Sequence, residues 1–367
     1  RSSDLSQVEP ADAIPTILRG KQVVVAGDRH QLPPTRFFAG EVDAEGEDAP
    51  DTAAYESLID ALVGIAAETS LQWHYRSKDE RLIAVSNRQV YGGSLVTFPG
   101  AKTDDCLSFV HVPFVETNTD EDSASAEVMR VVDEVLDHVR SRPEESLGVI
   151  APGIKHANRV EAAVRESIQG QPDLMEWFSD DKEDAFFVKN LERVQGDERD
   201  AIIITTGYSR RTNGRLAQAF GPINQAGGER RLNVAASRAR RRMKLVSSFT
   251  SADLDPSASG KGRQFLRALF EFVETDGRKM SIGPTGDIDL NPFELQIYDA
   301  LSKAGMDVVC QYGVSGYRID FAIQHPDRPG EFVLAVEADG AQYHSSPTAR
   351  DRDRLRQEHL ERLGWTF

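Results

Sequence analysis

The strongest constraint in this chain is a set of short apolar runs that do not alternate with polar residues. Lys21-Gln-Val-Val-Val-Ala-Gly27, Ser146-Leu-Gly-Val-Ile-Ala151 and Ala201-Ile-Ile-Ile204 are rich in β-branched side chains. A strand with one wet face alternates. A continuous run implies a strand covered on both faces, as in parallel sheets flanked by helices. Leu107 to Val112, Ala185 to Lys189 and Met243 to Ser247 read as further strands. Helical spacing fills the intervals, at Tyr55 to Glu68, Asp79 to Tyr91, Ser125 to Arg140, His156 to Ile168 and Asn233 to Arg240. In Ser125 to Arg140 the apolar positions are Val128, Val131, Val132, Val135 and Val139, one face of a helix. Strands alternating with helices predict an α/β fold with a mainly parallel sheet.

The pattern breaks after Ser247. Asp253 to Gly262 is turn-rich, a helix follows at Gln264 to Glu274, and Asp276 to Asn291 is rich in Gly, Pro and Asp, which reads as a linker. Residues 292–367 read as helix, strand, strand, helix and an unfinished strand. The chain of 367 residues is too long for one ordinary domain. It begins without a Met and ends within a strand-like run, and is expected to be a piece of a longer polypeptide.

Net charge is −16, from 59 acidic and 43 basic residues. That argues against coating nucleic acid over the whole surface and leaves room for a local basic groove. Cys106 and Cys310 are the only cysteines. They form no CxxC pair, which excludes a disulfide framework or a cysteine-rich zinc site and points to a reducing cytoplasm. No apolar run reaches the roughly 18 residues of a membrane span.

Four patches occur in a definite order. Gly27-Asp28-Arg29-His30-Gln31-Leu32-Pro33-Pro34 follows the first apolar run. Trp73-His74-Tyr75-Arg76-Ser77 comes next, followed by Asn87 and Tyr91-Gly-Gly-Ser-Leu95. Val194-Gln195-Gly196-Asp197-Glu198-Arg199-Asp200 leads into a strand, and Arg230 to Arg240 carries Asn233 and Arg238. Each patch alone is a turn or a solvated charged face as readily as a site. In this order they resemble the later motifs of superfamily 1 DNA and RNA helicases, over roughly residues 4–250. The resemblance implies a RecA-like P-loop NTPase lobe, a parallel sheet with helices on both faces. Gln31 is then expected at a crevice beside the carboxyl end of the sheet, sensing the γ-phosphate and attacking water, with Gly27 and Asp28 beside it. Arg76 and Arg238 become arginine fingers. Glu198 lies near the nucleotide ribose, and Gln195 with Gly196 couples nucleotide to the nucleic-acid strand. The basic residues from Arg230 to Lys244 are candidates for nucleotide or strand binding. No Walker A loop, GxxxxGK[ST], is present. Ser3 and Asp4 stand where the family carries its magnesium Asp and catalytic Glu. ATP with Mg²⁺ is therefore expected only together with an upstream Walker A lobe.

Near the other end, Tyr317-Arg-Ile-Asp320-Phe-Ala-Ile323 and Phe332-Val-Leu-Ala-Val-Glu337-Ala-Asp339-Gly340 each place an acid inside an apolar strand. That is costly without compensation. Converging carboxylates across the hairpin suit Mg²⁺ or Mn²⁺. Asp320, Glu337-x-Asp339 and His344 resemble the PD-(D/E)XK nucleases, in the branch of the very-short-patch repair endonucleases. This implies a restriction-endonuclease-like α/β domain with Asp320, Glu337 and Asp339 as metal ligands. His344 would serve as general acid or base, and Glu294 would orient water or a second metal. Asp339 occupies the position of the usual catalytic Lys.

Four regions follow: a remnant of a first RecA-like lobe at 1–69, a second lobe at 70–252, a linker region with a helix at 253–290, and the nuclease-like domain at 291–367. The expected function is an ATP-dependent nucleic-acid helicase fused to a metal-dependent DNA endonuclease, in repair or defence. Its expected partners are ATP and nucleic acid, DNA ahead of RNA, with no membrane. Two alternatives stay open: a docking module with a degraded nuclease, and an RNA helicase without cleavage.

Overall fold

The computed structural model describes residues 7–34, 55–102, 105–113, 125–179, 181–208, 216–277, 290–313, 317–338 and 347–367. The first part of the chain carries α1 (Pro10–Ile17), α2 (Leu58–Leu62), α3 (Arg81–Gln89), β1 (Leu107–His111), α4 (Ser125–Ser141), β2 (Leu147–Ala151), α5 (Ile154–Ile168) and α6 (Pro172–Trp177). β3 (Phe187–Asn190), β4 (Arg199–Thr205), α7 (Gly228–Ala236), β5 (Ala239–Ser247) and α8 (Lys261–Glu274) follow. The last part holds α9 (Pro292–Lys303), β6 (Val308–Tyr312), β7 (Ile319–Gln324), β8 (Phe332–Val336) and α10 (Pro347–Arg362).

Five strands form one parallel sheet in the order β1-β5-β4-β2-β3. Its strands show why the apolar runs are continuous. In β4, Ile202 and Ile204 join the core beneath α3, α7 and α8, while Ala201 and Ile203 join the opposite core with α4 and α5. In β2, Ile150 faces the first core, and Leu147 and Val149 face the second. Both faces are dry, so every position selects an apolar side chain. The α/β lobe with helices on both faces is thus as expected.

Several expectations fail locally. Lys21 to Gly27 forms no strand: Val23 and Val24 are exposed, and no strand pairs with them among the described residues. An apolar run becomes a strand only where ladder partners receive its N–H and C=O groups. The helix expected over Tyr55 to Glu68 is confined to α2, with Gly64 in the left-handed region just beyond it. The expected helix Asn233 to Arg240 ends at Ala236, and Ala239 and Arg240 already belong to β5. The helix of the 253–290 region is α8, which is packed into the lobe. Phe265, Leu266, Leu269, Phe270, Phe272 and Val273 lie in its core. α8 approaches the turn before α7 so closely that a Cβ on Gly262 would lie 2.1 Å from the Ile223 carbonyl oxygen and 3.0 Å from the Cα of Gly228, the first residue of α7.

The last part contains a strand that sequence reading missed. β6, β7 and β8 form a three-stranded antiparallel sheet. It packs on the segment that precedes β1. Phe98 and Ala101 share a buried cluster with Tyr317, Ile319, Leu360 and Trp365. The Trp365 indole N–H donates to the Pro99 carbonyl at 2.8 Å, and the Phe332 N–H to the Ala101 carbonyl at 2.8 Å.

At the carboxyl end of β4 lies a buried polar knot. Glu127 accepts hydrogen bonds from Thr205 Oγ1 at 2.5 Å and from the N–H groups of Thr206 and Gly207, each at 2.7 Å. His156 Nε2 meets Thr205 Oγ1 at 2.9 Å. Burial pushes His156 down to about 4, with the positive Arg159 adding to the effect, and pushes Glu127 up.

Two outcomes test this packing. Gly262→Ala is expected to destabilise the protein by about 1–3 kcal/mol in urea unfolding, because the added methyl has no space. The second concerns pH. The unfolded chain protonates His156 near pH 6.5 and the folded protein only near pH 4, so acidification through that window favours unfolding. The raised Glu127 works in the opposite direction and is common to parent and variant. Between pH 7 and 4.5 the parent should lose about 2 kcal/mol more than His156→Gln, read from urea curves at both pH values.

Candidate functional site

The motif residues 28–34 lie against three sequence-distant places. Asp28 accepts hydrogen bonds from the His30 N–H at 2.9 Å, Gln31 Nε2 at 3.2 Å and the Tyr91 hydroxyl at 2.5 Å. Burial and the neighbouring Asp28 charge push the Tyr91 phenol well up, which keeps it a neutral donor. Asn233 Nδ2 donates to both the Tyr91 hydroxyl and the His30 carbonyl, at 3.0 Å each. Gln195 Oε1 accepts from the Leu32 N–H at 3.2 Å. All four patches thus meet here, the second of them through Tyr91.

The second patch also enters through Arg76. Its Nε forms an ion pair with Glu198 at 2.6 Å, and its Nη1 reaches the Ser237 carbonyl at 3.4 Å. Arg238, only 2% exposed, is turned inward. Its guanidinium donates to the Val234 carbonyl at 2.8 Å, the Ser237 hydroxyl at 2.8 Å and the Asp197 carbonyl at 3.3 Å. Gly196 has φ 88°, where only glycine sits without strain, and this turns the chain from Gln195 to Glu198. Gly27 adjoins the cluster through Asp28, with an exposed backbone. His74, beside Arg76, is pushed down to about 4 by burial and then by the positive charges of Arg76, His359 and Arg238.

The location differs from expectation in one respect. Gln195 and Glu198 precede β4 and Arg238 precedes β5, so the cluster sits at the amino ends of the central strands, not their carboxyl ends. The reason is that Gln31 is not carried on a strand of this sheet. Sequence reasoning quoted Tyr91 and Asn233 without giving them a role. Their signal was position alone, inside two of the patches.

The basic run at the start of β5 is committed inside the molecule. Arg240 pairs with Asp184 at 2.5 Å and Asp200 at 3.3 Å, Arg241 with Asp200 at 3.2 Å, Arg242 with Glu145 at 3.1 Å, and Lys244 with Glu134. Each of these four charges of the Arg230 to Lys244 stretch faces an acid of the same lobe.

The second cluster lies on the antiparallel sheet. Phe321 stands opposite Val336, so Asp320 and Glu337 stand opposite each other one step along. Asp320 Oδ2 accepts from the Ala338 N–H at 2.8 Å and Oδ1 from Gln311 Nε2 at 3.1 Å. Glu337 Oε1 accepts from the Tyr317 hydroxyl. Gln311 has φ 51° within β6, a conformation that costs a non-glycine residue about 1–2 kcal/mol. Two facing carboxylates with hard oxygen donors fit Mg²⁺ or Mn²⁺ as part of a ligand set. Glu294 closes the capping box of α9, its carboxylate accepting from the Asn291 N–H at 2.9 Å. It does not join Asp320 and Glu337, and no group of three His, Cys, Asp or Glu converges on a metal-sized site among the described residues. Ser3, Asp4, Asp339 and His344 lie outside the described residues. No helix among the described residues is long and apolar enough to cross a membrane.

Comparison with known proteins agrees with both halves. A family model described as an AAA domain, AAA_12, matches residues 52–250, and the model REase_MTES_1575 matches residues 293–367. The "Uncharacterized ATP-dependent helicase MG140 homolog" of Mycoplasma pneumoniae is 30% identical over 393 residues, covering 99% of this chain and 34% of the relative. The "Uncharacterized ATP-dependent helicase MG140" of Mycoplasma genitalium is 34% identical over 285 residues, covering 74% of this chain and 25% of the relative. The chain therefore spans about a third or less of the length of these relatives. The C-terminal domain of a possible DNA helicase from Lactobacillus has a TM-score of 0.29 at 18% identity, covering 47% of this chain and 86% of that one. That score is too low to define the fold. Because the AAA model spans more than half of the residues, the chain belongs to the AAA domain family AAA_12, with a restriction-endonuclease-like domain behind it.

Proposed function

We propose that this chain is part of an ATP-dependent superfamily 1 nucleic-acid helicase, and that its last domain is a metal-dependent DNA endonuclease. The observation that carries the helicase half is the convergence of Asp28, Gln31, Gln195, Arg76, Glu198 and Arg238 from four separate patches. Within this reading Arg76 exchanges Glu198 for the γ-phosphate of ATP held by a Walker A lobe. Gln31, tied through Asp28 to Tyr91 and Asn233, reports the state of that phosphate to the lobe. Gln195 and Gly196 connect the same point to the bound strand.

The nuclease half rests on Asp320 and Glu337 facing each other across the hairpin. A bound Mg²⁺ or Mn²⁺ lowers the pKa of its water and stabilises charge on the phosphodiester. Asp320 is held for this by the Ala338 N–H, and Glu337 projects from the end of β8 beside it. Asp339 is the proposed third ligand and His344 the proposed general acid or base. Glu294 is retained as a water-orienting residue only if it leaves its helix cap. DNA is the proposed strand and the cytoplasm the proposed compartment.

The test is cleavage of single-stranded and duplex DNA with Mg²⁺ or Mn²⁺ and no ATP. Metal-dependent nicking is expected, reduced at least about 100-fold in Asp320→Ala and in Glu337→Ala. A folded protein that binds DNA without cutting it would replace the nuclease by a docking module. Cleavage of RNA alone would overturn the preference for DNA.

A further inference from the structure

β6 is the strand that sequence reading missed, and it carries an unusual backbone. Among the described residues, two that are not glycine have positive φ, Asp276 and Gln311. Asp276 lies just past the end of α8, where left-handed residues commonly stop helices. Gln311 lies inside a strand and stops nothing. Cys310 is opposite Phe321 and Tyr312 opposite Ile319, so Gln311 is opposite Asp320. The twisted backbone is accompanied by one contact at that carboxylate, from Gln311 Nε2 to Asp320 Oδ1 at 3.1 Å. Strain of this kind persists where surrounding structure enforces it, and it clusters at functional sites.

Glu337 has a donor of its own. The Tyr317 hydroxyl donates to Oε1, and the Tyr317 ring is fixed on both sides. Phe98 of the helicase-like lobe lies 5.4 Å away between ring centroids, and the Arg356 guanidinium sits 4.8 Å from the ring centre. Each of the two facing carboxylates is thus oriented by a neutral donor from a neighbouring segment. Donors of this type fix the rotamer of a ligand and offset the repulsion between two anions before a cation arrives.

We propose that Gln311 and Tyr317 are positioning residues that hold Asp320 and Glu337 in a cation-binding arrangement, an inference that rests on the nuclease reading above. Neither need touch the cation. Gln311 acts through its amide and tolerates a strained backbone to do so. Tyr317 acts through its hydroxyl, while its ring is held against the lobe.

The experiment is titration of the full 367-residue chain with Mn²⁺ alone, following free Mn²⁺ by EPR, beside thermal unfolding of the same samples. Gln311→Gly removes the amide and relieves the backbone. It should weaken Mn²⁺ binding about tenfold or more while leaving the unfolding midpoint unchanged or higher. Tyr317→Phe keeps the ring contacts and removes only the hydroxyl. It should weaken binding by a similar factor with little change in midpoint, and excess Mn²⁺ should restore cleavage in both variants. Affinities within twofold of the parent in both, while Asp320→Ala abolishes binding, would overturn the inference and leave the nuclease reading intact. A loss of affinity in Gln311→Gly that comes with a clear fall in midpoint would assign that residue to packing and overturn its positioning role. A parent that binds no Mn²⁺, or binding that survives Asp320→Ala, would overturn the nuclease reading and this inference with it.

Discussion

Burial of the parallel sheet on both faces is the constraint on which the rest of the molecule depends. β4 and β2 send alternate side chains into two separate cores, so neither strand has a polar side. Their polar chemistry is pushed to the strand ends, where the backbone leaves the sheet. The amino end of β4 carries Gln195 to Glu198, and the carboxyl end carries the Glu127, Thr205 and His156 knot. The two ends solve the same problem in different ways. At the carboxyl end a carboxyl group is buried and answered by two backbone N–H groups and hydroxyls. At the amino end the charge of Glu198 stays partly wet and is answered by Arg76.

The sheet and its flanking helices were legible because periodicity is a local signal. The order of the four patches was legible because each lies within a few residues. What failed was non-local. Lys21 to Gly27 has the composition of a buried strand, yet strand formation depends on partners that composition does not name. The stretch from Arg230 to Lys244 read as a candidate for nucleotide or strand binding, but from Arg240 onward its charges meet acids at residues 134, 145, 184 and 200, far away in sequence. β6 was missed because Val308-Val-Cys-Gln-Tyr312 is short and partly buried throughout. With it went Gln311, whose importance lies in a backbone angle that residue type does not disclose. Asp320 and Glu337 could be singled out as candidates because acids inside apolar strands stand out against their neighbours.

One segment supports both clusters. Trp73 bridges to Val96 and stacks edgewise on Phe98, with ring centroids 5.2 Å apart. Arg76 leaves this segment on one side toward Glu198. On the other side Phe98 packs on Tyr317, and Pro99 and Ala101 receive hydrogen bonds from Trp365 and Phe332. The antiparallel sheet is therefore seated on the same stretch of chain that presents Arg76. Interfaces built from interlocked aromatic rings and backbone hydrogen bonds resist sliding more than polar contacts do.

The two arginines of the first cluster are not equivalent. The Arg76–Glu198 pair is about one-third exposed on each side, 36% and 38%, and pairs of that kind contribute roughly 0–1 kcal/mol. On the proposed helicase reading, an incoming phosphate would displace such a carboxylate at small cost. Arg238 is 2% exposed, and its guanidinium is held by Val234, Ser237 and Asp197. To reach an anion it must give up its bonds to the Val234 and Asp197 carbonyls and to the Ser237 hydroxyl, although the Val234 carbonyl keeps that hydroxyl as a donor at 3.0 Å. On that proposed reading, Arg76 is the side chain already poised to exchange partners. Arg238 requires the turn between α7 and β5 to rearrange, and that turn carries the Ser237 carbonyl on which Arg76 also rests.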